Sequence, residues 1–447
     1  LSVSDARSQL VLHLDTMEQL KKLRWDERAL PVMIESLCAR LAAIEPLVVA
    51  FVTEADRCAR LRHQAAELAR RWPDPASRPP LYGMTVGVKD IFHVDGFVTR
   101  AGSSLPPDLF VGQQAAVVTA LQEAGALVVG KTVTAEFAHA EPGPTRNPHN
   151  LQHTPGGSSS GSAAAVASGT AMLAIGSQTI GSVIRPAAYC GIIGLKPTYG
   201  RIAADGVVFY SRSVDHVGLF AQDVATLQVA ARVCYLDWRP SSARPASGAP
   251  PVIGIPVGPY LEQAEPAAVV ALVEQEAALC GAGYSVRRVQ AFADIEAINH
   301  RHGLLIKAEL AGEHAPWFAA QEHIYRPRTA QAIREGRAVD TATAEVARAG
   351  RAALRCELEQ TMAVAGIDLW ASPAATGPAP AGIHSTGNSI MNLPWTHAGM
   401  PTITVPAGLA QGGLPLGLQL TAAAGADEAL LDWAAGIEAV LSPWTAG

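Results

Sequence analysis

The chain contains no C-x-x-C pair, no H-E-x-x-H pattern, no N-x-[ST] sequon and no apolar run of membrane-spanning length. The first two absences remove the common zinc and thiol-redox signatures. The longest apolar candidate, residues 163–175, is too short and too rich in Ala, Ser and Gly to cross a bilayer. No charged-apolar-small leader opens the sequence. Positive charge is also in short supply: 34 Lys and Arg against 40 Asp and Glu leave a net charge of −6. A basic nucleic-acid-binding face is therefore not expected. Cysteine is sparse and scattered, six in 447 residues. That distribution argues against a disulfide framework and favours reduced thiols in a cytosol. Together these absences predict a cytoplasmic protein that binds neither membrane nor nucleic acid. The 49% hydrophobic content in a chain this long is enough to bury a large core.

Residues 1–75 read as an N-terminal helical segment. Leu37, Leu41, Ile44 and Val48 recur at helical spacing, with a kink or break expected at Pro46. Pro73, Pro75, Pro79 and Pro80 end that segment. From Leu81 onward strand and helix signals alternate, with strands at 82–88, 127–129, 172–175, 252–255, 401–406 and 417–420. Helices are expected over 115–125, 159–169, 265–282, most of 303–365, and 427–440. Alternation of this kind predicts an α/β layered fold. A Pro/Ser/Ala-rich stretch at 239–251 reads as a surface linker. Strand signals on both sides of it point to one sheet and a single domain over 1–447.

Gly125-Ala-Leu-Val-Val-Gly-Lys-Thr matches the phosphate-loop pattern G-x-x-x-x-G-K-[ST]. The mechanism of that loop needs a strand before the first glycine and a bare loop between the two. Here a helix comes first and Leu127-Val-Val is itself the strand, so Lys131 reads as a strand-end lysine near the sheet edge.

Three pieces carry chemistry. Lys89 ends the apolar run Gly87-Val-Lys-Asp-Ile-Phe; alone it reads as a lysine snorkelling from a strand end. Gly156-Gly-Ser-Ser-Ser-Gly-Ser-Ala resembles a flexible linker in composition, but an Ala-rich helix follows it directly. Gln178-Thr-Ile-Gly-Ser is a turn after a strand, where successive backbone N–H groups can face a developing oxyanion. A serine nucleophile needs a base, and a buried lysine with a lowered pKa can serve. Cys190, among apolar neighbours, reads as an inert buried thiol.

In the order Lys, Ser, Ser these pieces resemble the amidase signature family. The likeness is strongest from Gly83 to Phe220 and continues in Gly399-Met-Pro-Thr-Ile-Thr-Val-Pro. It implies a large mixed β-sheet sandwiched between layers of α-helices. It also implies that Lys89 is the base, that Ser158 after a cis peptide at Gly157 is the bridge, and that Ser182 is the nucleophile. The oxyanion amides would be those of Thr179, Ile180, Gly181 and Ser182. The loop from Phe137 and the helical region 303–365 would shape the acyl pocket, with His139 and Glu141 as loop candidates for substrate contact. No metal or cofactor is implied, and a homodimer is the family-level expectation. Ser160 and Ile180 replace glycines of the common pattern, and Gln178 replaces an aspartate. Arg185 falls three residues after the nucleophile instead of two. The last two departures look like malonamidases, whose arginine grips a substrate carboxylate. Arg185 is thus expected either to bind a substrate anion or to pair with a structural acid such as Asp215.

The reading that follows is an amidohydrolase acting on a small-molecule carboxamide. The alternative is the glutaminase subunit of a tRNA-dependent amidotransferase. A catalytically silent binding protein of the same fold is a third reading.

Overall fold

The computed structural model of the protein describes residues 10–240 and 250–441. The linker expected over 239–251 falls mainly on 241–249, outside the described residues. The N-terminal segment forms three helices, Thr16–Trp25, Ala29–Val48 and Arg57–Arg71. The first is capped by the Asp15 carboxylate, which accepts from Glu18 N at 2.9 Å. No break occurs at Pro46: the second helix runs through it to Val48 and ends where Val49 turns left-handed at φ 54°. In the last turn the missing N–H removes one bond without stopping the helix.

The second and third helices bring Cys38 and Cys58 to a Cα–Cα distance of 5.7 Å, where they form a disulfide. This corrects the expectation that all six thiols are reduced. Their spacing of 20 residues hides a proximity created only when the helices pack. Cys190 is buried, and burial pushes its thiol pKa up. It stays protonated, as its apolar neighbours suggest.

The described residues form one ten-stranded mixed sheet flanked by helices. Its strands are β1 (Thr85–Lys89), β2 (Leu127–Thr132), β3 (Leu173–Gln178), β4 (Ile193–Lys196) and β5 (His216–Ala221). They continue as β6 (Ile253–Val257), β7 (Val286–Gln290), β8 (Leu369–Pro373), β9 (Thr402–Leu409) and β10 (Pro415–Ala422). The order across the sheet is β2-β1-β3-β5-β4-β9-β10-β8-β6-β7. β1 runs parallel to both β2 and β3, with Val88 level with Ile175. The centre is antiparallel, from β3 through β5, β4, β9 and β10 to β8. Because β1 and β3 are parallel neighbours, Lys89 and the turn after Gln178 emerge at the same carboxyl edge. That edge is where open α/β sheets place their ligands.

The second glycine of the phosphate-loop match lies inside β2, at the sheet edge. Lys131 is buried there in an ion pair with Asp90 Oδ1 at 2.8 Å. The helix Ser160–Ala167 is entirely buried. Its small residues permit that depth: a Cβ on Gly161 would stand 2.1 Å from Ala50 O. The small-residue block is therefore a packing element against the sheet.

Candidate active site

Lys89 closes β1 with no exposed surface. Its Nζ lies 2.8 Å from Ser158 Oγ and 2.8 Å from Ser177 Oγ. Burial drives its pKa down to about 7, with the Asp215 charge opposing the shift. An amine so placed is largely neutral just above neutral pH and can accept a proton. Ser158 follows the cis Gly157–Ser158 peptide, and its carbonyl accepts from Ala135 N at 3.1 Å. Ser182 stands in the turn after β3 and keeps 7% of its surface exposed, against 0% for Lys89 and 1% for Ser158. The serine nearest to solvent is thus the one on the turn, and the lysine is wholly enclosed.

Gly181 fills a place that no larger residue fits. A Cβ there would stand 2.3 Å from Asn392 Oδ1 and 2.9 Å from Ser389 Cβ. Gly181→Ala must displace the turn or its neighbour, and a displacement near 1 Å at a reacting centre costs on the order of 100-fold in rate. We expect kcat to fall by about that factor while a thermal melt still shows a cooperative fold. Steady-state kinetics beside a melting curve check both.

Arg185 lies on the short helix Ile184–Tyr189 and is buried. Its NH1 donates to Gly387 O at 2.8 Å, and its NH2 donates to Gly157 O at 2.5 Å and Thr386 Oγ1 at 3.1 Å. Nε is buried without a hydrogen-bond partner among the described residues. Burial lowers the guanidinium pKa to about 10, so it stays a cation at neutral pH. Asp215, the acid considered for it, is engaged elsewhere. Asp215 accepts from Thr179 Oγ1 at 2.5 Å, Tyr210 N at 2.8 Å and Ser211 N at 3.0 Å. Burial raises that carboxyl to about 6 against these donors. Arg185 is therefore a buried cation held by neutral oxygens.

The remaining candidates divide. Gly157 joins the site through its carbonyl on Arg185. The Phe137 side chain does not reach out: at φ 49° it turns into the core. Its ring lies 4.4 Å from His314, 5.5 Å from Tyr325 and 5.6 Å from Phe110, centroid to centroid. Its backbone N–H is also engaged, donating to Ala101 O at 2.8 Å. His139 is half-buried, with its ring 5.3 Å from that of Tyr210. Glu141 is buried and ties the loop to the following helices, accepting from Arg328 N at 2.8 Å and pairing with Arg326 at 3.2 Å. Neither stands freely exposed on the loop.

Three residues at the site escaped the sequence reading. Ser177, the second hydroxyl on Lys89, had one legible signal: a polar residue just before Gln178 at the end of a buried strand that begins apolar. His302 and Thr396, which reach the turn from 123 and 216 residues away, had none.

A buried near-neutral lysine, two serines and a turn rich in amides form the kind of site used for acyl transfer. The amidase family model matches residues 32–431, and the chain belongs to that family of enzymes acting on C–N amide bonds. A relative from Roseiflexus sp. (strain RS-1), the A-type component of a glutamyl-tRNA(Gln) amidotransferase, is 31% identical over 484 residues, covering 96% of this chain and 94% of that one. Among solved structures, an amidase superposes with a TM-score of 0.85 at 28% identity, covering 96% of this chain and 100% of that one. The peptide amidase from Stenotrophomonas maltophilia gives 0.76 at 25% identity, covering 92% and 94%.

Proposed function

We propose that the chain hydrolyses a small-molecule carboxamide through an acyl-enzyme on Ser182. Neutral Lys89 takes the proton of Ser158 Oγ while Ser158 takes that of Ser182. The freed Ser182 oxygen attacks the carbonyl carbon, and the amides of residues 179–182 hold the oxyanion. The relay then reverses: a proton passes to the nitrogen, the C–N bond breaks and ammonia or an amine leaves. Water attacks the acyl carbon by the same relay and restores Ser182. The observation that carries this reading is the 2.8 Å contact between the buried Lys89 amine and Ser158 Oγ, at the strand edge from which Ser182 emerges. The sheet draws strands from Thr85 to Ala422, which supports one amidase domain over the chain. Arg185, a buried cation with no acid on it among the described residues, supports a carboxylate-bearing substrate of the malonamidase kind.

A second reading has its own support. The Roseiflexus relative is one component of an amidotransferase, so this chain is alternatively a glutaminase subunit that works with partners. One experiment separates the two. The protein is purified alone, challenged with simple amides, and labelled with a serine-reactive phosphonate whose position is mapped. Turnover without partners and a label on Ser182 support the hydrolase. Glutaminase activity that emerges only with partner subunits supports the alternative. A label on another residue sinks the Ser182 assignment.

A further inference from the structure

Each of the three peptide groups between Thr179 and Ser182 is held by its carbonyl end. Thr179 O lies 3.1 Å from His302 Nε2. Ile180 O accepts from Thr396 Oγ1 at 2.7 Å, and Gly181 O accepts from Arg185 N at 3.0 Å. A trans peptide is planar, with C=O and N–H pointing opposite ways. Fixing a carbonyl therefore fixes the direction of the next residue's N–H. The amides so oriented belong to Ile180, Gly181 and Ser182, and among the described residues none of the three donates to a partner. We propose that His302 and Thr396 are positioning residues that aim the Ile180 and Gly181 amides at the oxyanion from behind the turn. The inference rests on the hydrolase reading above.

The proton positions follow from the partners. Thr179 O can only accept, so His302 Nε2 carries the hydrogen. A neutral His302 then presents a bare Nδ1, which lies 3.1 Å from His397 Nδ1. His397 must donate there, leaving its own Nε2 as the bare nitrogen, buried and unpartnered among the described residues. Burial keeps both rings neutral, lowering His302 to about 3 and His397 to about 2. The two imidazoles form a one-way chain of donors that ends on Thr179 O.

The second peg is directed by Gln178. Its Oε1 accepts from Val183 N at 2.8 Å and Ile184 N at 2.9 Å. Its Nε2 donates to Thr396 Oγ1 at 2.9 Å. With one lone pair of Thr396 engaged, its single hydrogen is directed to a carbonyl, and Ile180 O is nearer than Asn392 O at 3.1 Å. A carboxylate at 178 has no hydrogen to give. It would take the Thr396 proton for itself and release Ile180 O. The amide at 178 is thus required by the direction of the chain Gln178, Thr396, Ile180.

The test compares kcat and KM on a p-nitroanilide turned over by the wild type. Removing one oxyanion donor costs about 10²–10³-fold. Misaiming one is expected to cost about 10–100-fold in kcat, with KM within about threefold. Thr396→Val, Gln178→Glu and His302→Leu should all show that loss. Thr396→Ser and His302→Gln keep a donor in reach and should recover most of it. Gln178→Glu exchanges a single side-chain group, so it carries the test if His302→Leu fails to fold. Wild-type kcat in all three disruptive variants overturns the positioning roles. So do equal losses in the disruptive and the conservative variants. The phosphonate label, mapped in parallel, keeps the two proposals separate: a label off Ser182 defeats the hydrolase reading itself.

Discussion

Lys89→Met is expected to lower kcat by about 10²–10⁴-fold, the loss that follows removal of a general base. Methionine matches the lysine stem in length and is at ease in a fully buried site, so the fold should survive the change. Lys89→Arg should lose as much: a guanidinium does not give up its proton at working pH and cannot act as a base. Retained activity in Lys89→Arg would mean that position 89 acts as a fixed cation, and the proton relay would be wrong. The wild-type pH profile provides a second reading of the same group. Its folded pKa is depressed to about 7 by burial, and the proposed relay needs the neutral form. Activity should therefore rise through pH 7 and level off above it. Asp215 opposes the depression, so Asp215→Asn should move the rising limb to lower pH. The proposed relay makes Lys89 and Ser182 one unit, so Lys89→Met combined with Ser182→Ala should be no worse than Ser182→Ala alone.

The sequence was informative where local chemistry and position coincide. The strand ending at Lys89, the small-residue helix and the strand into Gln178 were each bounded to within a few residues, because burial on both faces demands unbroken apolar or small residues. Four strands are not among those expected from the sequence. β7 is an edge strand whose Arg287, Arg288 and Gln290 are exposed, which erases the apolar pattern. β4, β5 and β8 are buried throughout, as β1 and β3 are, and periodicity alone does not tell such short buried runs from pieces of buried helix. What no reading of one sequence could reach were pairings across the fold. Cys38 meets Cys58 only through helix packing. Glu141 leaves its loop surface to hold Arg326. Asp215 serves Thr179 and two backbone amides instead of Arg185. Partners of buried charges are chosen by the tertiary structure, and the chain order does not encode them locally.

Arg185 carries the other large expected effect, this time on specificity. Burying a guanidinium without an acid is unfavourable unless something offsets the lost hydration. Three neutral oxygens offset part, and its Nε–H is left over. A substrate carboxylate would complete the set with a charge-assisted hydrogen bond. Truncating one partner of a buried charge pair costs about 2–5 kcal/mol, or about 30-fold to several thousand-fold in affinity. Arg185→Ala should therefore reduce kcat/KM by about 10²–10³-fold on amides that also bear a carboxylate. Neutral amides of the same length should fall far less, and that residual fall measures what Arg185 does for Gly157 O, Gly387 O and Thr386 Oγ1 together. Arg185→Lys should recover part of the anionic preference, since a lysine supplies the charge without the planar fork. The comparison is made on a panel of paired neutral and anionic amides. If both classes decline together, Arg185 is a brace for the Gly157 carbonyl and the substrate's charge is read elsewhere.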